Sequence, residues 1–158
     1  FSKLANQFQD PTNFLRSLFG SILVRISDFE RPIPNTVVHI VYHANQEIKP
    51  NTLPDNLHTL VFGWAFNQAI KPNVLPANLH SVEFGQKFDQ EIQPNVLPKK
   101  LHTLKLGREY HQKIKCSVLP ASLRHLRCTE YVSESLLEKG AIPQNLTFEL
   151  FQYYQIYI

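Results

Sequence analysis

Apolar positions recur along this chain with a period of 22 residues. Each of four units begins with Leu-Pro, and apolar residues stand three, six and eight positions after the proline. In the unit that contains Pro54, Leu60 and Phe62 are separated by one residue. This alternation predicts a β-strand in which Leu60 and Phe62 point inward while Thr59 and Val61 point outward.

A second apolar block closes each unit. After Gly63 the chain reads Phe66-Asn-Gln-x-Ile70, and the next two units repeat this block with small changes. We expect the glycine that ends each strand to need a positive φ at a tight bend. The proline-rich segment at 71–76 excludes a regular helix, because proline removes a backbone donor and restricts the residue before it. Each unit is therefore a strand with an extended or 3₁₀-like return.

One such coil cannot bury its apolar face alone, so neighbouring coils must stack, with parallel strands about 4.8 Å apart. The sequence predicts a β-rich solenoid: leucine-rich-repeat-like stacked coils with one parallel sheet, short non-helical returns and atypical terminal caps. We divide the chain into an N-terminal degenerate coil or cap at 1–32, repeats at 33–128 and a C-terminal cap at 129–158. The last part combines a short helix at 134–139 with a final strand.

The two ends leave alternatives open. The N-terminal part fits a degenerate coil that begins at Pro11, a coil with its strand at 22–26, or a short amphipathic helix at 14–22. We favour the strand at 22–26. The segment 148–158 is rich in aromatic and β-branched residues and reads as a strand. We expect the chain to cover the edge of this strand itself, with missing residues or end-to-end contacts with another chain as the alternatives.

The units "LPDNLHTLVFGWAFNQAIKPNV" and "LPANLHSVEFGQKFDQEIQPNV" resemble FNIP repeats, a short leucine-rich-repeat variant. The resemblance covers residues 33–128. Proteins with such repeats occur chiefly in social amoebae and in giant DNA viruses of amoebae. Many carry an F-box before the repeats, which implies a ubiquitin-ligase substrate adaptor. The residues before 33 are too few for a complete F-box, so this role requires a longer parent chain.

Composition narrows the classes of partner. The formal charge of +3 is not concentrated in a Lys/Arg run, which gives little support for nucleic acid as a partner. No apolar run approaches the roughly 20 residues of a membrane span. Two cysteines without a CxxC pair favour a reducing, intracellular location, either host cytoplasm or a virus particle. The chain starts at Phe1 and lacks methionine, so we expect it to be processed or part of a longer protein.

Three histidines share one repeat position, at His58, His80 and His102. Three imidazoles in a row are possible zinc ligands. However, no carboxylate accompanies them at a matching position, and Arg124 continues the row. We therefore predict stacked, partly exposed side chains. Because catalytic and phosphate-binding motifs are absent from the sequence, we expect no enzyme activity, no cofactor and no metal.

The outward strand positions vary between units, and this face is the usual binding surface of leucine-rich-repeat-like solenoids. The candidate partner-binding residues are Thr59, Val61, Trp64, Ser81, Glu83, Thr103, Lys105 and Arg127. We expect a cross-strand ion pair between Glu83 and Lys105. Trp64, the one tryptophan, is a hot-spot candidate at a strand exit, with packing against a neighbouring loop as the alternative.

Recurring amides predict a structural ladder that bonds backbone groups left over by the sheet. Its residues are Asn45, Gln46, Asn67, Gln68, Gln90 and Gln112, with Asp89 and His111 at matching positions. Asn51, Asn73 and Asn95 follow prolines and are expected to stabilise turns.

These features favour a non-enzymatic repeat scaffold that binds another protein through its strand face and ends. One alternative is a structural or assembly component of a giant virus particle. Another is the substrate-recognition part of an F-box ubiquitin-ligase adaptor.

Overall fold

The computed structural model describes residues 23–27, 32–115, 117–129 and 142–151. These residues form one seven-stranded parallel sheet whose strands follow one another in chain order. The strands are β1 (Leu23–Ile26), β2 (His39–Tyr42), β3 (Thr59–Phe62), β4 (Ser81–Glu83), β5 (Thr103–Lys105), β6 (His125–Thr129) and β7 (Thr147–Phe151). The returns between them are turns and extended segments, and these ranges contain no helix capable of crossing a membrane. The predicted solenoid with one parallel sheet and non-helical returns is confirmed.

One hydrophobic core lies along the inner side of the sheet. In β3, Leu60 and Phe62 are buried while Thr59 and Val61 are half-buried, as the alternation predicts. Phe66 supplies the opposite wall from the return segment. Aromatic rings of successive coils stack in rows: Phe62 on Phe84 with ring centroids 5.0 Å apart, Phe66 on Phe88 at 6.1 Å, and Phe88 on Tyr110 at 6.0 Å. Full burial of such side chains contributes about 1.5–3 kcal/mol each, and it depends on the neighbouring coil.

The glycines that follow strands β3, β4 and β5 act differently from the prediction. The expected positive φ is wrong, because none of Gly63, Gly85 and Gly107 has a left-handed backbone. A Cβ added to Gly85 would overlap the carbonyl oxygen of Gly63, and one added to Gly107 would overlap that of Gly85. Glycine is required here because the backbones of successive coils approach too closely for a side chain.

Left-handed backbone lies instead in the turns that follow the returns. Asn51, Asn73 and Asn95 have φ of 62°, 65° and 64°, and Ser117 has 67° at the equivalent position. Asparagine tolerates this conformation better than most residues with a side chain. This explains why asparagine recurs after proline in these turns.

The ends of the chain are described in part. β1 lies within the strand expected at 22–26. The coil start at Pro11, the alternative helix at 14–22 and the helix at 134–139 lie outside the described residues. The division into parts at 1–32, 33–128 and 129–158 stays a prediction.

Candidate functional site

The outer face of the sheet presents two columns of side chains in register. The first column holds Thr59, Ser81 and Thr103, all half-buried. The second, which we call the outer column, holds Arg25, Val41, Val61, Glu83, Lys105, Arg127 and Glu149. The structure thus brings seven of the eight candidate partner-binding residues onto one surface. Their role in binding stays a prediction.

Opposite charges in the outer column pair between neighbouring strands. The Lys105 ammonium contacts the Glu83 carboxylate, and Arg127 Nε lies 2.8 Å from Glu149 Oε2. All four side chains are partly exposed, so each pair contributes less than about 1 kcal/mol. The charges leave Val41 and Val61 as an uncharged stretch of the column.

Trp64 is both exposed and in contact with the next coil. Its side chain is 58% exposed, and its indole Nε1–H donates to Gln86 Oε1 at 2.8 Å. Lys87 Nζ lies 4.4 Å from the ring centroid, within range of a cation–π interaction. Gln86 in turn donates to Glu109 Oε1 at 3.3 Å. These contacts hold the indole in place while leaving more than half of it accessible.

A shallow depression of about 290 Å³ lies beside Trp64, where the strands exit. Its lining includes Trp64, Gln86, Lys105 and Arg108. Gly85 and Gly107 also line it. The depression therefore adjoins the charged part of the outer column on one side and the tryptophan on the other.

The histidine row consists of parallel, stacked rings. The ring centroids of His58 and His80 are 4.5 Å apart, and those of His80 and His102 are 5.3 Å apart. Lone pairs on imidazole nitrogens lie in the ring plane, so parallel stacked rings do not direct them at a common point. Burial and the nearby His58 lower the pKa of His39. Among the described residues, no group of three or more His, Cys, Asp or Glu side chains is arranged to hold a metal ion.

The recurring amides connect each return segment to the next. Asn45 Oδ1 accepts from the backbone N–H of Asn67 at 2.8 Å and from Gln68 Nε2 at 3.0 Å. Asn67 Oδ1 accepts in the same way from Asp89 N at 3.0 Å and Gln90 Nε2 at 2.9 Å. Asp89 Oδ1 continues the series to His111 N at 2.7 Å and Gln112 Nε2 at 3.2 Å. We call this series the Asx–Gln ladder.

The residues of the ladder have two different hydrogen-bonding roles. The asparagine and aspartate oxygens accept bonds, and each serves a backbone N–H and a glutamine of the following coil. Asp89 was noted at a matching position but not counted among the six predicted ladder amides. It accepts the same two bonds as the asparagines, because only an acceptor oxygen is needed there. Its recurrence at the Asn45 and Asn67 position was the available signal. Gln46 is exposed at the start of the series.

Two buried polar side chains are held in their neutral forms. Burial raises the pKa of the Cys128 thiol to about 11, so it is protonated at neutral pH. Burial, with Asp89 and Glu91 nearby, raises the pKa of Tyr110. A protonated, fully buried thiol is a poor nucleophile, so Cys128 belongs to the core.

A family model described as FNIP Repeat matches residues 45–87 and 88–127, more than half of the chain. No match was found among curated proteins. Among solved structures, the chain is similar to CroV588 from the giant virus CroV, described as a novel circular LRR protein. The two share 37% sequence identity and a TM-score of 0.71. The match covers 75% of this chain and 18% of that protein, so the chain spans less than a fifth of its length.

The fold, the repeat positions and the family match agree with the resemblance seen in the sequence. Residues 45–127 carry the repeats, and the parallel sheet that they build is of the leucine-rich-repeat kind. The chain belongs to the FNIP repeat family.

Proposed function

We propose that this chain is a non-enzymatic scaffold that binds another protein through the outer face of its sheet. The FNIP repeat and the leucine-rich-repeat-like solenoid are typical of such scaffolds. The observation that carries the proposal is Trp64, which is 58% exposed and held in place by Gln86 and Lys87. An ordered aromatic side chain loses little conformational freedom on binding, and tryptophan is enriched at binding hot spots.

The surroundings of Trp64 provide the other properties of a binding surface. Val61 lies on the outer column near the same strand exit, and the depression beside Trp64 gives a partner a concave place for a side chain. Lys105 and Arg127 add positive charge along the column, although each is partnered by a carboxylate. We expect apolar contact at Trp64 to supply affinity and the charged rim to supply orientation.

Quantitative affinity capture from native cells tests this proposal, with wild type, Trp64→Ala and Lys113→Ala compared. Lys113 is an exposed residue of a return segment and serves as the matched control. A protein recovered with wild type and Lys113→Ala should be depleted with Trp64→Ala. The purified partner should bind Trp64→Ala roughly thirtyfold more weakly, the effect of about 2 kcal/mol typical of a hot spot. Equal binding to all three chains would contradict the proposed face.

A second candidate is a structural or assembly component of a virus particle. Apolar residues exposed on β7 and the likeness to a giant-virus protein support it. Proteomic detection of the chain in purified, protease-treated particles would favour this role, and its presence in infected cells alone would count against it.

The adaptor role and the reducing, intracellular location stay predictions. Co-purification of ubiquitin-ligase core subunits with the full-length product is the test of the adaptor role. The low cysteine content, two residues without a CxxC pair, supports a reducing location.

A further inference from the structure

The strand β7 exposes apolar side chains at positions that the preceding strand buries. Phe148 and Leu150 stand in register with Leu126 and Cys128, which are fully buried. Phe148 is nevertheless 38% exposed and Leu150 is 56% exposed. A solenoid coil is normally covered on both sides, whereas β7 pairs with β6 alone among the described strands. Such an edge is a template for another strand.

The strand β1, at the opposite end of the sheet, has the alternation of apolar and charged residues that a strand placed beside β7 would need. Val24 is buried, Ile26 is half-buried and Arg25 between them is exposed. Placed beside β7 in the register of the sheet, β1 of a second copy gives four pairs. They are Thr147 with Leu23, Phe148 with Val24, Glu149 with Arg25, and Leu150 with Ile26. The inner rows thus remain apolar, and the outer column meets an opposite charge.

The outer column shows how such a charge pair behaves between neighbouring strands. Arg127 Nε already lies 2.8 Å from Glu149 Oε2, and the Glu149 side chain remains 51% exposed. Arg25 of a second copy would place this carboxylate between two guanidinium groups. A shift by one residue would put that arginine against Phe148 or Leu150 instead. Charge and apolar pattern therefore select one register.

We propose that a second copy of this chain docks head-to-tail, with its β1 added in parallel to β7 so that the solenoid continues from one copy into the next. The two surfaces are different, so the interface is heterologous and can repeat from copy to copy. This interaction uses the two end strands of the sheet rather than Trp64 and the central strands. It is therefore independent of the scaffold function proposed above.

Two variants, each blocking one end, test the proposal. Leu150→Lys puts a charge into the inner row of β7 and leaves β1 intact. Arg25→Glu puts two carboxylates opposite each other and leaves β7 intact. Both positions are exposed, so the coil should remain folded, and circular dichroism with thermal melting checks this. Leu150→Gln replaces Leu150→Lys if the latter unfolds, and Ala77→Lys, at an exposed turn position, is the matched control.

Sedimentation velocity of the purified chain gives the readout. Wild type and Ala77→Lys should form multiples of the monomer as concentration rises. Each end variant alone should associate roughly a hundredfold more weakly. An equimolar mixture of Leu150→Lys and Arg25→Glu should form a discrete dimer, because each supplies the end that the other lacks.

Three results would overturn the proposal. They are a wild-type chain that is monomeric at every concentration, association that neither end variant weakens, and two monomeric variants whose mixture fails to dimerise. The last result would indicate a symmetric interface between identical surfaces.

Discussion

A methyl group added at Gly85 would occupy the same space as the carbonyl oxygen of Gly63 in the preceding coil. The backbone must move apart to relieve this overlap, and the aromatic rows on both sides must move with it. We expect Gly85→Ala to lower the free energy of unfolding by about 3 kcal/mol, the upper part of the range for overpacking.

Urea unfolding of Gly85→Ala and Gly63→Ala measures this effect. A Cβ at Gly63 would lie 3.0 Å from His43 Cα, a tight contact but not an overlap, so Gly63→Ala should be the milder change. Equal stability of Gly85→Ala and wild type would show that the coils leave room for a side chain at this position.

The Cys128 thiol should make the free energy of unfolding depend on pH in the alkaline range. Its pKa is raised by burial from 9.0 to about 11, so the unfolded chain releases this proton first as pH rises. The contribution of the neutral thiol is complete below pH 9 and is lost as pH rises towards 11. Wild type should lose about 2 kcal/mol more than Cys128→Val over this interval.

Denaturant unfolding of both chains at pH 8 and pH 11 measures the loss of stability of each. The difference between the two losses is the contribution of the cysteine, because the tyrosines are the same in both chains. Parallel pH profiles for wild type and Cys128→Val would contradict the expectation.

At the scale of the structural element, the Asx–Gln ladder joins the return segments of successive coils, as in the bond from the Asn67 N–H to Asn45 Oδ1. Asn67→Ala would remove the acceptor of the Asp89 backbone N–H and of Gln90 Nε2. An unsatisfied backbone donor costs about 1–3 kcal/mol, and we expect a loss of that size in urea unfolding. Gln46→Ala, at the exposed start of the ladder, should change stability by less than about 0.5 kcal/mol. Equal losses in the two variants would indicate that the ladder has no specific acceptor role.

Elements whose residues recur could be predicted from the sequence. The alternation at Leu60 and Phe62 predicted the strand and its buried side, because period two follows from strand geometry alone. The role of Gly85 could not be predicted, because the spacing of residues along the chain does not show that the Gly63 carbonyl oxygen of the preceding coil faces this position.

Less of the candidate site than of the fold could be predicted from the sequence. The outer columns followed from strand alternation once the register was assumed. Packing of Trp64 against a neighbouring loop was one of the two alternatives, but its partners Gln86 and Lys87 could not be predicted, because these side chains do not recur and meet only through stacking. The identity of the partner could not be predicted either, because the recurring residues form the contacts between coils.

At the scale of the whole molecule, each coil is stabilised by its two neighbours. Central strands such as β4 have a strand on both sides, whereas β1 and β7 each have one among the described residues. Native-state hydrogen exchange should therefore show the greatest protection in β3 to β5 and progressively less towards both ends. Uniform protection of all seven strands would instead indicate a single cooperative unit that includes the ends.

In the central coils the ladder, the aromatic rows and the outer column connect residues 22 or 23 positions apart, as in the bond from Asn45 to Asn67. Removing or duplicating one whole 22-residue block would therefore leave the core and ladder side chains of the remaining coils with neighbours of the same kind, whereas pairs in the outer column such as Glu83 with Lys105 would change. A gene encoding such a chain tolerates unequal recombination between its own repeats, since the product differs in length but keeps the contacts of its core. The number of coils can then change without any change in the residues that build each coil.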